Sequence, residues 1–141
     1  MEGRRKNYSL LLSVLVLLVV NIYLFHLDFT SSKKGFRFAM LDIGQGDALF
    51  IESPTGTQVL VDAGPAKKIL GPLRKMMSPF DRTIDAVVIT NPDADHIGGF
   101  ADVLKNYKVG LVLEPGTIND SKTFQDLKKT IEQKKILDIL A

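Results

Sequence analysis

The stretch Asp85-Ala-Val-Val-Ile-Thr90, followed at once by Asn91-Pro-Asp-Ala-Asp-His-Ile-Gly-Gly99, constrains this chain more than any other. Ala86 to Ile89 is a wholly apolar, largely β-branched run, the pattern of a strand buried on both faces. Ile97 to Tyr107 then sets Phe100, Val103 and Leu104 at helical spacing, and Val109 to Leu113 is a second buried-strand run. Strand, helix and strand in that order predict a right-handed parallel crossover, with the intervening loop at the carboxyl end of its strand. Open α/β sheets hold their ligands along that edge. Asp93, Asp95 and His96 lie in that loop close enough in sequence for a fold-back to aim them at one point, and carboxylate and imidazole are ordinary ligands for divalent ions.

A plainer reading stands beside this one. Carboxylates just ahead of a helix cap its N-terminus and complement its dipole, so Asp93 or Asp95 taken singly reads as a structural residue. Together with His96, a β-branched strand before them and Gly98-Gly99 after them, they read as a metal loop. The chain has no cysteine, so disulfides, thiolate ligands and a cysteine nucleophile are excluded and any ion must be held by nitrogen and oxygen. Lys and Arg number 18 against 16 Asp and Glu, a balance that does not by itself point to nucleic acid.

Residues 8–27, YSLLLSVLVLLVVNIYLFHL, supply about the twenty apolar residues that a helix needs to cross a bilayer core. Arg4, Arg5 and Lys6 precede the run and Lys33 and Lys34 follow it, which tilts the positive-inside rule toward a cytoplasmic N-terminus and an outward remainder. The run exceeds a signal-peptide core, and Phe29-Thr-Ser-Ser32 is a poor cleavage site, so an uncleaved anchor is favoured over a cleaved signal. The expected organisation is a basic cytoplasmic segment at 1–7, a transmembrane anchor at 8–27, a linker at 28–35 and one domain at 36–141.

Within that domain, Phe36–Ile43, Asp47–Glu52 and Gln58–Asp62 read as three strands of a meander, turned at Gly44-Gln-Gly46 and Pro54-Thr-Gly56. Ala66 to Met77 has helical spacing that Gly71-Pro72 should weaken or break. Asp120 to Lys134 is a charged amphipathic helix with Phe124, Leu127 and Ile131 inward and Asp120 or Ser121 as cap. Ile136 to Leu140 begins one more strand. Gly44-Gln-Gly-Asp47 joins two strands instead of opening a helix, so it reads as a hairpin turn with a place near a substrate left open. Asp42 reads as a turn residue, and the Lys128-Lys129 and Lys134-Lys135 pairs as a solvated helix face.

The order LDIGQGDALFIESPTGTQVLVDAG, then DAVVITNPDADHIGG, resembles the opening half of a metallo-β-lactamase-fold domain, most of all that of ComEC-type competence proteins. The resemblance implies an α/β chain, the first half of a metallo-β-lactamase-like αββα sandwich, here preceded by one transmembrane helix. It implies a centre of one or two divalent ions and hydrolysis of phosphodiesters, with DNA as the substrate during uptake. The family signature His-x-His-x-Asp-His falls on Asn91, Asp93, Asp95 and His96, which are the metal ligands it implies. Asn91 is the doubtful one, because an amide oxygen is neutral and ligates weakly. Oxygen donors in place of imidazoles shift the expected ion from zinc toward manganese or magnesium. Asp95 is the candidate catalytic residue, orienting a water or bridging two ions, and Asp62 would hold the loop by accepting its hydrogen bonds.

The resemblance accounts for half of a sandwich, and no histidine follows His96, so the domain is expected to be incomplete and to carry an open sheet face that invites dimerisation or degradation. Oligomeric state is otherwise left open. Two function classes follow: a membrane-anchored, outward-facing metal-dependent nuclease or related hydrolase, and a non-catalytic anchored binding or scaffolding module with a degenerate metal site.

Overall fold

The computed structural model describes residues 2–31 and 35–140, with side chains of the first segment described at Tyr8 and at 11–25. The chain divides into two compact units, Met1–Lys33 and Lys34–Ala141. The first unit is a single helix, α1 (Glu2–Ser31). Its apolar side chains from Leu11 to Phe25 are exposed, and Asn21 turns its amide back onto the carbonyl of Leu17 at 2.8 Å. Among the described residues no helix is long and apolar enough to cross a membrane. The side chains described between Leu11 and Phe25 cover roughly 22 Å of helix, short of the roughly 30 Å hydrocarbon core. The side chains of the basic segment 1–7, of Ser9, Leu10, His26 and Leu27, and most of the linker lie outside the described residues.

The second unit carries β1 (Arg37–Met40), β2 (Leu49–Glu52), β3 (Gln58–Val61), α2 (Leu70–Met76), β4 (Thr83–Val88), α3 (Ala94–Ile97), α4 (Phe100–Asn106), β5 (Lys108–Glu114), α5 (Lys122–Gln133) and β6 (Leu137–Leu140). The strands make one sheet in sequence order, β1-β2-β3-β4-β5-β6. β1, β2 and β3 pair antiparallel as the expected meander, and β3 through β6 pair parallel, each joined by a helical crossover.

Two helices differ from expectation. The segment expected to be helical from Ala66 starts only at Leu70, and Gly71-Pro72 falls in its first turn instead of breaking it. A proline is tolerated there because the N–H groups of a first turn have no carbonyl to meet. The helix expected across 97–107 is divided into α3 and α4 at Gly98-Gly99. On α5, Ser121 is the cap, its Oγ accepting from the N–H of Phe124 at 3.3 Å.

Register explains the core. Phe50, Leu60, Val87 and Val112 stand opposite one another across β2 to β5, all buried. They join Ile97, Phe100, Val103 and Leu104 of the crossover, Leu73 of α2 and Leu127 and Ile131 of α5 in one cluster. The residues between them face the other way. Phe38, Ile51, Val59, Ala86, Leu111 and Leu137 form one row across all six strands, and Met40, Leu49, Val61, Val88, Leu113 and Ile139 form the next. Both rows are apolar throughout. Their central members are half-buried, while Phe38, Met40, Leu137 and Ile139 at the edges are 40–65% exposed.

Candidate active site

Parallel pairing sets the carboxyl ends of β3 and β4 side by side, and the chain leaves both toward the same edge. Asp62 follows β3 in the left-handed region, at φ 54°, a conformation that Asp and Asn adopt more readily than other side chains with a Cβ. Its N–H bonds the carbonyl of Val88 at 2.9 Å, which ties it to the end of β4. Its carboxylate, on a residue only 3% exposed, is fully engaged. Oδ1 accepts from the N–H of Thr90 at 2.9 Å, while Oδ2 accepts from the hydroxyl of Thr90 and faces Nδ1 of His96 at 2.9 Å.

The contact with Asp62 sets the imidazole tautomer. A carboxylate beside Nδ1 draws the proton to that nitrogen and leaves Nε2 as the ring's acceptor. The same hydrogen bond is the largest cause of a His96 pKa raised above 6.5; partial burial opposes it, and the charges of Asp62, Asp95 and Asp47 add to it.

Backbone bonds complete the clasp. The N–H of Ala63 meets the carbonyl of His96 at 2.8 Å, and the N–H of Gly99 meets the carbonyl of Gly64 at 2.8 Å. A Cβ on Gly99 would stand 2.2 Å from the carbonyl oxygen of Ala63, so only glycine lets the two segments approach. The Gly44–Asp47 turn presses on the same loop from the hairpin side. A Cβ on Gly46, at φ +79°, would stand 2.1 Å from the carbonyl oxygen of Asp95. The hairpin turn is therefore part of the wall of the site, and Asp47 acts on His96 through its charge.

The expected ligands do not converge. Among the described residues no three of His, Asp and Glu are placed to hold an ion. The first reason is that Asp95 and His96 are successive residues of α3, and successive helical side chains diverge by about 100° instead of aiming at one point as a fold-back would allow. The second is that Asp93 is already occupied: its carboxylate faces the amide of Asn91 at 3.0 Å and that of Asn119 at 3.4 Å. Asp93 also takes the N-cap position of α3 without any side-chain bond to a helix N–H, so capping does not account for it either. Asp93, Asp95, His96 and Asn91 thus share one loop without forming a metal-holding group by themselves.

Three contributors were not singled out from the sequence. Thr90 completes the hold of Asp62, and its place at the end of a β-branched strand was the available signal. Asn119, between β5 and α5, reaches Asp93 and the carbonyl of Pro92, at 3.3 Å, from a remote segment that nothing local marks. Asp47 was visible only as part of a turn.

Comparison with known proteins places this edge in context. The model of the metallo-beta-lactamase superfamily matches residues 41–135, which include every residue of the clasp. ComE operon protein 3 of Bacillus subtilis (strain 168) is 31% identical over 112 residues, covering 67% of this chain, and the chain spans 14% of that protein's length. Among solved structures, a diphosphatase from the PhnP family is similar with a TM-score of 0.43 and 19% identity, over 69% of this chain and 37% of that one.

Proposed function

Because the chain belongs to the metallo-β-lactamase superfamily, we propose that it is the leading half of a hydrolase domain of the ComEC-type competence kind, anchored in a membrane by α1, facing outward and directed at the phosphodiester bonds of DNA. One observation carries this reading: a buried carboxylate at the end of β3 holds Thr90 and the His96 ring at the carboxyl edge of β4, inside the matched segment. Hydrolases of open α/β sheets work from that edge. Kinship with a ComE operon protein supports the DNA-uptake role. The apolar run at 8–27, with its basic N-terminal flank, supports the anchor and its orientation.

The superfamily generally binds divalent metals, and the residues this chain would bring are Asp93, Asp95, His96 and, most weakly, Asn91. As described they do not fit an ion on their own, so no chemical step is routed through one. What these residues do without it is definite. Asp62 fixes the imidazole, and the Gly44–Asp47 turn backs the loop. Asp95, exposed on the first turn of α3, is the group we assign to orient the attacking water. The remaining donors would come from polypeptide outside the described residues, and manganese, magnesium or zinc would be the ion held.

The test is metal content together with manganese-dependent cleavage of DNA, measured on the domain from Gly35 carried through any continuation of the reading frame. Metal retention and cleavage are both expected, and Asp95→Ala should lose both. A variant with unchanged metal and turnover would remove Asp95 from the site. The unconverged donors and Asn91 favour a second reading, an anchored binding module without catalysis, which stands if the extended protein retains metal but cleaves nothing.

A further inference from the structure

The second sheet face is the largest feature of the domain that the clasp does not use. Its two rows cross all six strands without a polar side chain, and Phe38, Met40 and Leu137 at its margins are more than 60% exposed. Six strands at about 4.8 Å and four residues at about 3.3 Å outline a plane of roughly 400 Å², nearly double that once the relief of the side chains is counted. Monomeric soluble proteins rarely leave a continuous apolar patch of that size in water.

We propose that this face is a homodimer interface, on which a second copy of the chain docks sheet to sheet. The area is sufficient. Two such faces remove roughly 1,400 Å² from water, within the range of about 1,200–2,000 Å² that stable protein interfaces bury. The shape is matched as well: two sheets of the same twist stack about 10 Å apart at a shallow angle, and identical faces satisfy this without any new feature. A twofold axis makes one patch serve as both halves of the contact, which is the commonest symmetry of soluble oligomers. With no polar group on the face, no register of donors and acceptors selects a different partner. The product has four layers, helices outside and two sheets within, so each copy completes the other's core.

The chain contains no cysteine, so one introduced thiol reports on one position. The full chain in mild detergent would be studied as Ala86→Cys, in the middle of the open face, with Lys129→Cys on exposed α5 as the control. Sedimentation should give a dimer, and the Ala86→Cys thiol should react with a maleimide about tenfold more slowly than the control, with protection lost on dilution as mass action requires. A Phe38→Lys, Leu137→Lys double variant at the exposed margins, its fold verified by circular dichroism, should be monomeric and unprotected. Three results would each overturn the proposal: a monomer whose Ala86→Cys thiol reacts at the control rate; protection that dilution does not change, which means cover from within the same chain; and a dimer with a fully reactive Ala86→Cys thiol, which means association through α1.

Discussion

At the scale of single residues, Asp62 decides the geometry of the edge, because one carboxylate satisfies a backbone N–H, a hydroxyl and an imidazole that would otherwise lose their partners. Asp62→Asn keeps the left-handed backbone but exchanges an acceptor oxygen for a donor nitrogen. We expect it to cost about 1–3 kcal/mol in urea unfolding, the usual penalty for orphaning a buried polar group. The same substitution should bring the raised His96 pKa back toward 6.5, read from imidazole proton shifts in a His26→Gln background that leaves one histidine. The sign of the pH dependence follows. A histidine whose pKa is higher folded than unfolded contributes stability that is complete below 6.5 and disappears as pH rises through the folded value. Chelator-treated protein should therefore be more stable at slightly acid pH than at alkaline pH, and His96→Gln should flatten that part of the profile. Asp62 was legible as a strand-ending carboxylate, yet its partners lie 28 and 34 residues along the chain, beyond the reach of any local pattern.

At the scale of elements, local chemistry explains most of what formed. Ser121 closes the first turn of α5, and Ser121→Ala should cost about 1 kcal/mol by the loss of one cap, measured as a lowered unfolding midpoint with unchanged slope. The division of the Ile97–Tyr107 helix into α3 and α4 has a different origin. Its periodicity is continuous, but Gly98-Gly99 lies against the Ala63–Gly64 backbone, and that contact sets where one helix stops and the next begins. Gly99→Ala would drive a methyl group into the carbonyl of Ala63, so a loss of about 2 kcal/mol or more is expected, with the clasp bonds displaced. Amide exchange at Ala63, whose N–H is held by His96, would show this directly: faster exchange in the variant supports the contact, and an unchanged rate denies it.

At the scale of the whole molecule, each unit carries one prediction about its surroundings. If α1 anchors the chain, alkaline carbonate should leave the full-length protein in the membrane pellet and release a version that begins at Gly35; extraction of both would end the anchor reading. For the sheet unit, alternating apolar residues were enough to announce strands, a meander and a parallel crossover, because periodicity is a property of neighbours in sequence. The donor loop was announced in the same way, as was its place at the carboxyl end of a strand. Tertiary structure alone decided the rest. It brought the Gly44–Asp47 turn onto the loop, brought Asn119 onto Asp93, and wound Asp95 and His96 into a helical turn that sends successive side chains apart. It also aligned two apolar rows across all six strands. The physical reason is common to these outcomes: each depends on register between segments distant in sequence, and register is set by pairing and packing, which a linear pattern constrains but does not contain.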